Sequence, residues 1–198
     1  DVDGVSQATK TSKGITDGVN QAIAYYEDAL DEVIKRAPEA LRTMHINRGN
    51  RTIPSQYLDR LDFYMFQPGH NYEGQPEAWR LPQDFIANYP KKPMVNSEPC
   101  YEQMGASRNV YWRFTAQDCR ASVWSSILAG ASAGVTYGAH GVWNWQTSKS
   151  QGSVLGEGFD MPFRWQECLQ FAGVWDFGAI EHVLAGPVSY THLTLPTI

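Results

Sequence analysis

Residues 92–102 read Lys92-Pro93-Met94-Val95-Asn96-Ser97-Glu98-Pro99-Cys100-Tyr101-Glu102. Met94 and Val95 are the apolar part of this stretch, and they predict a short buried strand. We expect the strand to end at Glu98, because Pro99 has no backbone N–H to donate to a neighbouring strand. The sequence therefore places a carboxylate at the C-terminal end of a strand, which is where active sites lie in α/β proteins built from parallel strands.

Helix and strand patterns can be assigned along most of the chain on either side of this stretch. After a polar loop at 1–14, apolar residues at alternating steps of four and three predict a helix that is capped by Asp17 and ends before Pro38. A capping box at Thr115-Ala116-Gln117-Asp118 predicts a helix through about residue 133, and its small residues allow it to lie close to a sheet. Further helices are predicted at 78–89, with Pro82 near the first turn, and at 164–184, with interruptions at Gly173 and Gly178; further strands are predicted at 41–46, 61–66 and 135–137.

The order of these elements predicts the fold class. Helix and strand alternate four times, which is typical of an α/β protein with a parallel sheet and right-handed crossovers. Four βα units are half of a (β/α)8 TIM barrel, and a complete barrel takes ~250 residues. We therefore predict that residues 1–187 are the C-terminal part of a single barrel domain and contain about its last four βα units. A small, open, doubly wound sheet is the alternative.

The last residues, 188–198, continue none of these patterns. They resemble the translated adapter sequence that ends many DNA sequencing reads. We predict that they are a non-native tail, and the fold prediction leaves them out.

Composition excludes several classes of partner. The net charge is -5 and the basic residues form no stripe, which argues against nucleic acid binding. No apolar run approaches the ~18 residues that a membrane helix needs. The three cysteines are widely spaced and show no metal-binding pattern. The chain is rich in aromatic residues, which carbohydrate sites use as flat apolar faces, although core packing uses them too.

Polar or aromatic residues lie at the C-terminal ends of all four predicted strands, so their side chains are expected to meet at one edge of the sheet. The candidates are His45 and Asn47, then Tyr64, Gln67 and His70, then Glu98 and Glu102, then Tyr137, His140, Trp143 and Trp145.

Glycoside cleavage needs two carboxylates on either side of the sugar, one protonated and one ionised. Glu98 suits the ionised role, because neighbouring tyrosine O–H and histidine N–H groups can donate to it and lower its pKa. Trp143 or Trp145 can form a platform for the sugar ring. Glu102 is expected to orient other groups or to bind a substrate hydroxyl.

Three segments of the chain resemble consecutive motifs of the apiosidase-like glycoside hydrolases, family 140 and its uncharacterised relatives. The segments are Leu61-Asp62-Phe63-Tyr64-Met65-Phe66-Gln67-Pro68-Gly69-His70, the stretch at 92–102, and Leu128-Ala129-Gly130-Ala131-Ser132-Ala133-Gly134-Val135-Thr136-Tyr137-Gly138-Ala139-His140-Gly141-Val142-Trp143. The resemblance implies a (β/α)8 barrel, hydrolysis of glycosidic bonds in plant or microbial polysaccharide side chains, and a catalytic glutamate at Glu98. It also implies a second catalytic acid, an aspartate after a Gly-Gly pair, for which Asp1 is the matching residue. A secreted or periplasmic location is expected from the family.

Two other functions compete with this interpretation. Metal-dependent amidohydrolases place histidine ligands where His45 and His70 are predicted, but they also need an acidic ligand after the last strand, where this chain has Asn144 and Gln146. A non-catalytic carbohydrate-binding relative would keep the aromatic residues, and an intact Glu98 argues against it. We therefore predict a carbohydrate substrate, no metal and no cofactor, and leave the sugar, the linkage and the oligomeric state open.

Overall fold

The structure is a computed structural model that describes residues 10–107, 110–148 and 161–184. The chain divides into two units, Asp1–Leu41 and Arg42–Ile198. None of the helices in the described ranges combines the length and the apolar character that crossing a membrane requires.

The first unit contains helix α1, Lys10–Arg36. The helix begins earlier than the sequence predicts, so residues 10–14 are helical and not a loop, and Asp17 lies inside the helix and not at its cap. Its end at Arg36 agrees with the prediction from Pro38, which cannot continue a helix. Lys35 and Arg36 in the last turn favour this end, because cations interact well with the C-terminal end of the helix dipole.

The second unit contains the sheets and the remaining helices. Its elements are β1 (Tyr64–Phe66), α2 (Glu77–Asn88), β2 (Met94–Asn96), β3 (Gly105–Ser107), β4 (Val110–Arg113), α3 (Ala116–Leu128), β5 (Gly134–Val135), α4 (Trp165–Cys168) and α5 (Ala172–Leu184). Two 3-10 turns, Ser55–Arg60 and Tyr72–Gly74, precede β1 and α2.

Strands β1, β2 and β5 form a parallel sheet in that order. Tyr64 pairs with Met94 between the first two strands, and Asn96 pairs with Val135 between the last two. The crossovers contain α2 and α3, so the predicted parallel α/β arrangement is confirmed. The strands are shorter than predicted, and the backbone N–H groups of Ser97 and Thr136 extend the pairing by one residue at the C-terminal ends.

The segment predicted as a strand at 41–46 is not a strand, although it runs beside β1. The guanidinium of Arg42 donates to Asp62, and the Gln67 side chain donates to the carbonyl oxygen of Ile46 at 2.7 Å. Asp62 lies 20 positions after Arg42, and Gln67 lies 21 positions after Ile46. Because this separation stays almost constant, the segment runs parallel to β1. The Asp62 N–H also donates to the carbonyl oxygen of Arg42, but the other contacts between the two segments involve side chains, so a regular ladder of backbone hydrogen bonds is absent.

Helix α3 begins at the predicted capping box but ends at Leu128, five residues before the predicted end. The Thr115 hydroxyl accepts from the Asp118 N–H, and the Asp118 carboxylate accepts from the Thr115 N–H. At the other end, Gly130 has a φ of 119°, which favours glycine. The N–H groups of Gly130 and Ala131 bond back to the last turn in a Schellman motif, which closes the helix.

A buried chain of hydrogen bonds joins α2, α3 and β2. Pro82 lies inside α2 and beyond its first turn, and since it has no N–H it leaves the carbonyl oxygen of Ala78 without its helical partner. The Ser126 hydroxyl donates to this oxygen at 2.8 Å, and the Asn96 side chain donates to the Ser126 oxygen at 2.8 Å. The small residues of α3 thus allow the close approach that the sequence predicts, and Ser126 also satisfies the polar group that Pro82 leaves free.

Two further differences from the predictions lie after β2. Strands β3 and β4 form an antiparallel hairpin that the sequence pattern did not indicate. The predicted helix at 164–184 is two helices, α4 and α5, separated by residues 169–171. Gly173 and Gly178 both lie inside α5, so the predicted sites of interruption are wrong.

Candidate active site

Glu98 lies between two imidazole rings at the C-terminal edge of the parallel sheet. Its Oε1 is 2.8 Å from Nε2 of His70, and its Oε2 is 3.4 Å from Nε2 of His45. A quarter of the Glu98 side chain is exposed, as is almost half of the His45 side chain, whereas His70 is buried. The carboxylate is therefore held by two nitrogen atoms and remains accessible to a ligand.

The backbone of Glu98 is fixed by the residues at the ends of β1 and β2. Its N–H donates to Oδ1 of Asn96 at 3.3 Å, and its carbonyl oxygen accepts from the N–H of Gly69 at 3.2 Å. The side chain of Asn96 is the one that also bonds to Ser126 in α3. The position of Glu98 is thus coupled to the packing of the sheet against its helices.

Tyr101 forms the wall beside His70. The two rings are 4.1 Å apart between centroids. Burial, and then the negative charge of Glu98, raise the pKa of Tyr101 to about 12, so its hydroxyl keeps its proton at neutral pH. Tyr101 contributes a neutral O–H group and an aromatic surface to the site.

Glu102 is in a different environment, although it is only four residues from Glu98. It is 4% exposed, and its Oε2 accepts from the Tyr137 hydroxyl at 2.6 Å and from the Gly173 N–H at 3.0 Å. Its backbone pairs with the chain after β5, donating to the carbonyl oxygen of Gly138 and accepting from the N–H of His140. Burial and the hydrogen bond to Glu102 raise the pKa of Tyr137 far above its usual range.

Gly173 allows Glu102 to reach the start of α5. A Cβ at this position would lie 2.3 Å from Oε2 of Glu102 and 3.1 Å from Cε2 of Tyr137. The free N–H groups of a helix N-terminus favour an anionic partner, and here the Glu102 carboxylate takes that place. Glu102 therefore ties the ends of β2 and β5 to α5, which fits the predicted orienting role better than contact with substrate.

The residues after β5 form two aromatic pairs. His140 is buried, and its ring lies edge to edge with that of Trp143 at an interplanar angle of 15°, since Nε1 of Trp143 donates to Nδ1 of His140 at 3.2 Å. Since an indole can only donate, this bond places the neutral imidazole proton on Nε2 of His140. Trp145 stacks on Trp165 at 4.6 Å and remains 59% exposed. Its φ of 50° is unusual for a bulky residue, and such backbone conformations cluster at functional sites.

The structure does not bring all the predicted residues to Glu98. Tyr64 lies at the start of β1, buried in the core, and its hydroxyl donates to the carbonyl oxygen of Pro90. This is the opposite end of the strand from Glu98, so the placement of Tyr64 at a C-terminal strand end is wrong. Gln67 is buried, and its amide is used in the bond to Ile46. Asp1 lies outside the described residues.

The cysteines are not nucleophiles in this arrangement. Cys100, Cys119 and Cys168 are buried and free. Burial raises the pKa of Cys168 to about 11, and a hydrogen bond to Cys100 together with burial raises that of Cys119 still further. Thiols with raised pKa values are chemically inert at neutral pH.

Sequence reasoning missed the supporting roles of Asn96, Tyr101 and Gly173. Asn96 could have been noticed as a polar residue that follows the apolar pair of a short strand, where a buried side chain needs a partner. The contacts of Tyr101 and Gly173 depend on how distant segments pack, and no local pattern indicates them.

The fold and the site together define a parallel-sheet α/β protein with a carboxylate held between imidazole groups at the C-terminal ends of its strands. The chain belongs to the apiosidase-like family: the sequence model of the catalytic domain of that family matches residues 5–189. This confirms the resemblance seen in the three motifs. No curated protein matched the chain.

Two solved structures are similar to the chain. One, described as a glycoside hydrolase, has a TM-score of 0.68 and 23% sequence identity and is matched over 83% of this chain and 40% of its own. The other is a glycoside hydrolase family 5 protein from Bacteroides vulgatus, with a TM-score of 0.65, 25% identity, and coverage of 78% of this chain and 35% of its own. The chain thus spans at most two fifths of the length of these proteins.

Proposed function

We propose that the chain is the C-terminal part of the (β/α)8 catalytic barrel of a glycoside hydrolase that cleaves glycosidic bonds in plant or microbial polysaccharide side chains. The observation that carries the proposal is the position of Glu98 between His45 and His70 at the C-terminal edge of the sheet. Membership of the apiosidase-like family supports the same reaction.

Glu98 is the proposed ionised carboxylate of the pair. One oxygen of Glu98 is hydrogen-bonded to Nε2 of His70 and the other lies 3.4 Å from Nε2 of His45, while a quarter of the side chain stays exposed at the C-terminal edge of the sheet. In its ionised form it acts as a nucleophile in a retaining enzyme or as a general base in an inverting one. Trp143 and Trp145 are the proposed platform for the sugar ring, since both remain partly exposed.

The Glu98→Gln variant of the full-length protein tests this role. Gln keeps the shape of the side chain but removes the charge, so turnover of a glycoside substrate should fall by at least ~10³-fold. The matched control is Glu102→Gln, which changes a carboxylate four residues away and should keep most of the activity per folded molecule. Hydrolysis by Glu98→Gln at the rate of the unmodified protein would contradict the proposal.

Asp1 is the proposed second carboxylate, acting as the general acid. If Asp1 ends one strand and Glu98 another strand of a closed barrel, their carboxyl groups should be about 5–5.5 Å apart in a retaining enzyme and about 6.5–9.5 Å apart in an inverting one. The Asp1→Asn variant should be slow on glycosides with poor leaving groups and much less affected on activated aryl glycosides, which need little protonation. Equal losses on both kinds of substrate would assign the general acid elsewhere.

The barrel itself is tested by the behaviour of residues 1–198 alone. In the described part, β1 and β5 are the two edges of the parallel sheet, and each would need a further strand beyond it to close a barrel. Unpaired edges and uncovered apolar faces promote association. We expect the isolated chain to self-associate and to unfold without a sharp transition. A cooperative, monomeric unfolding transition would contradict the closed barrel.

A further inference from the structure

A groove of about 460 Å³ lies between α2, α3 and the 3-10 turn before α2. It shares no lining residue with the cluster around Glu98, and its volume is in the range of small-molecule sites. The residues that matter for its chemistry are two aromatic residues, two carboxylates and two serines: Tyr72, Trp79, Glu73, Asp118, Ser122 and Ser125.

The packing of α2 does not account for the exposed indole in this groove. The buried face of α2 consists of Ala78, Leu81, Pro82 and Phe85, which recur at helical spacing. Trp79 lies off this face and is 42% exposed. An indole that is not needed for the core is available to a ligand.

Neighbouring side chains hold both aromatic rings in place. The guanidinium of Arg80 lies over the Trp79 ring, 5.1 Å from its centroid. The ring of Tyr72 packs edge-on against Trp112 at 5.5 Å, while 58% of Tyr72 stays exposed. Because the rings are already positioned, a ligand that binds them loses little energy in ordering the site.

The polar groups of the groove have unused hydrogen-bonding capacity within the described part of the chain. The Ser122 hydroxyl is buried and has no hydrogen-bond partner, which is rare for a buried polar atom. Asp118 uses Oδ2 for the cap of α3, so that Oδ1 is available. Among the described residues, neither the Glu73 carboxylate nor the Ser125 hydroxyl has a hydrogen-bond partner. Acceptors and hydroxyls therefore stand beside flat apolar rings.

We propose that this groove is a second carbohydrate-binding site, which holds a neutral saccharide of the polysaccharide that the active site cleaves. Trp79 and Tyr72 would cover the apolar face of a sugar ring, while Glu73 and Asp118 would accept from its hydroxyl groups. Both charged groups that line the groove are carboxylates, and the nearby Arg80 guanidinium forms an ion pair with Glu77 at 3.9 Å, so the groove favours a neutral sugar over an anionic one such as a uronic acid. The link to the cleaved polysaccharide rests on the proposed function, whereas the preference for a neutral sugar does not.

The test is affinity electrophoresis of the full-length protein in gels that contain a neutral polysaccharide, arabinan or xyloglucan, or the anionic polygalacturonate. All variants carry Glu98→Gln so that the polymer is not cut. Trp79→Ala should weaken retardation in at least one of the two neutral gels by about tenfold. The matched control is Trp175→Ala, which removes an indole that is 73% exposed on α5 and lies outside the groove; it should leave retardation unchanged.

The Glu73→Lys variant tests the charge preference of the groove independently. Glu73 is exposed and unpaired, so the variant should fold normally, and the added cation should increase retardation by polygalacturonate. On a small aryl glycoside, Trp79→Ala without the Glu98 change should keep its activity within about twofold, because the groove lies outside the catalytic cluster.

Three results would overturn the proposal. The first is that Trp79→Ala and its parent are retarded equally in both neutral gels. The second is that polygalacturonate retards the parent more strongly than either neutral polymer does. The third is that Trp175→Ala loses as much retardation in the neutral gels as Trp79→Ala does. If Glu98→Gln leaves hydrolysis intact, the proposed function fails, but the gel comparison still decides whether the groove binds a neutral saccharide.

Discussion

Glu98 and Glu102 follow the same strand, yet the structure places them in opposite environments. A quarter of the Glu98 side chain is exposed, and it contacts two imidazole groups. Glu102 is buried and contacts a tyrosine hydroxyl and the first turn of a helix. Of the two carboxylates, only that of Glu98 is open to solvent and to a substrate. The Glu102 carboxylate is instead used to accept hydrogen bonds from the Gly173 N–H and from Tyr137, whose pKa is strongly raised, and its role is to stabilise the fold.

The stability of alanine variants gives the strongest test of this difference. Glu102→Ala should lower the free energy of unfolding by about 2–4 kcal/mol, because it leaves the Tyr137 hydroxyl and the Gly173 N–H without their acceptor. Glu98→Ala should change it by less than ~1 kcal/mol, since partly exposed ion pairs contribute little. Urea unfolding of both full-length variants measures this. Similar losses would show that the two sites do not differ as the structure indicates.

Alanine substitutions at two glycines of α5 test the contact between Glu102 and this helix. Gly173→Ala should cost about 1–3 kcal/mol, because its Cβ would collide with the Glu102 carboxylate and force it to shift. Gly178→Ala in the same helix meets no atom within 4 Å, and it should stabilise the protein by up to ~1 kcal/mol through helix propensity. Thermal unfolding of the pair compares them directly. Stabilisation by both substitutions would argue against the close contact at Glu102.

Ser126 tests the support on the Glu98 side. Ser126→Ala should cost about 1–2 kcal/mol, because the Asn96 amide and the Ala78 carbonyl group each lose a buried partner. Because Asn96 also accepts from the Glu98 N–H, the variant should shift Glu98 as well. We therefore expect turnover per folded molecule to fall too. The control is Ser125→Ala, whose hydroxyl forms no such bond. If the two variants have the same free energy of unfolding and the same turnover, the hydrogen bonds of Ser126 do not support the position of Glu98.

Tyr101 lies between the two regions and gives a smaller effect, which depends on pH. Its pKa is raised from about 10 to about 12 by burial and by the charge of Glu98. The unfolded chain therefore loses the tyrosine proton first, so stability should fall as the pH rises through this window. Tyr101→Phe should make that fall shallower. Unfolding measured at several pH values across the window checks it; an unchanged slope would contradict the prediction.

Metal removal should have no effect at all. The proposed reaction uses the carboxyl groups of Glu98 and Asp1, with the two histidines only holding Glu98, so dialysis against a strong chelator should leave the rate unchanged. A loss of activity that zinc restores would instead make His45 and His70 metal ligands and favour the amidohydrolase alternative.

Local pattern predicted the elements whose signals lie within a few residues. The box at Thr115 and Asp118 marks the start of α3 correctly, because both partners are three residues apart. The strand at Met94 and its parallel neighbours also follow from short apolar runs between turns. These signals placed Glu98 at the C-terminal edge of a parallel sheet, and three motifs indicated the family.

The failed strand prediction at 41–46 is explained by contacts between distant residues. The segment at 41–46 has the apolar residues of a strand, but it makes a single backbone hydrogen bond with 61–66, from the Asp62 N–H to Arg42, and side chains such as those of Arg42 and Gln67 make the other contacts. Tyr64 looks like a strand-end residue in sequence, and the actual bounds of β1 place it at the other end of the strand.

The sequence by itself determined the order β1, α2, β2, α3 and β5, the family, and the identity of the carboxylate at the end of β2, because each depends on residues close together in the chain. Only the tertiary structure decided that Glu98 is open and Glu102 is buried. The partners that make this difference, His45, His70, Tyr137 and Gly173, lie 28 to 71 residues away from the glutamates they contact. No pattern within a single strand or helix carries that information.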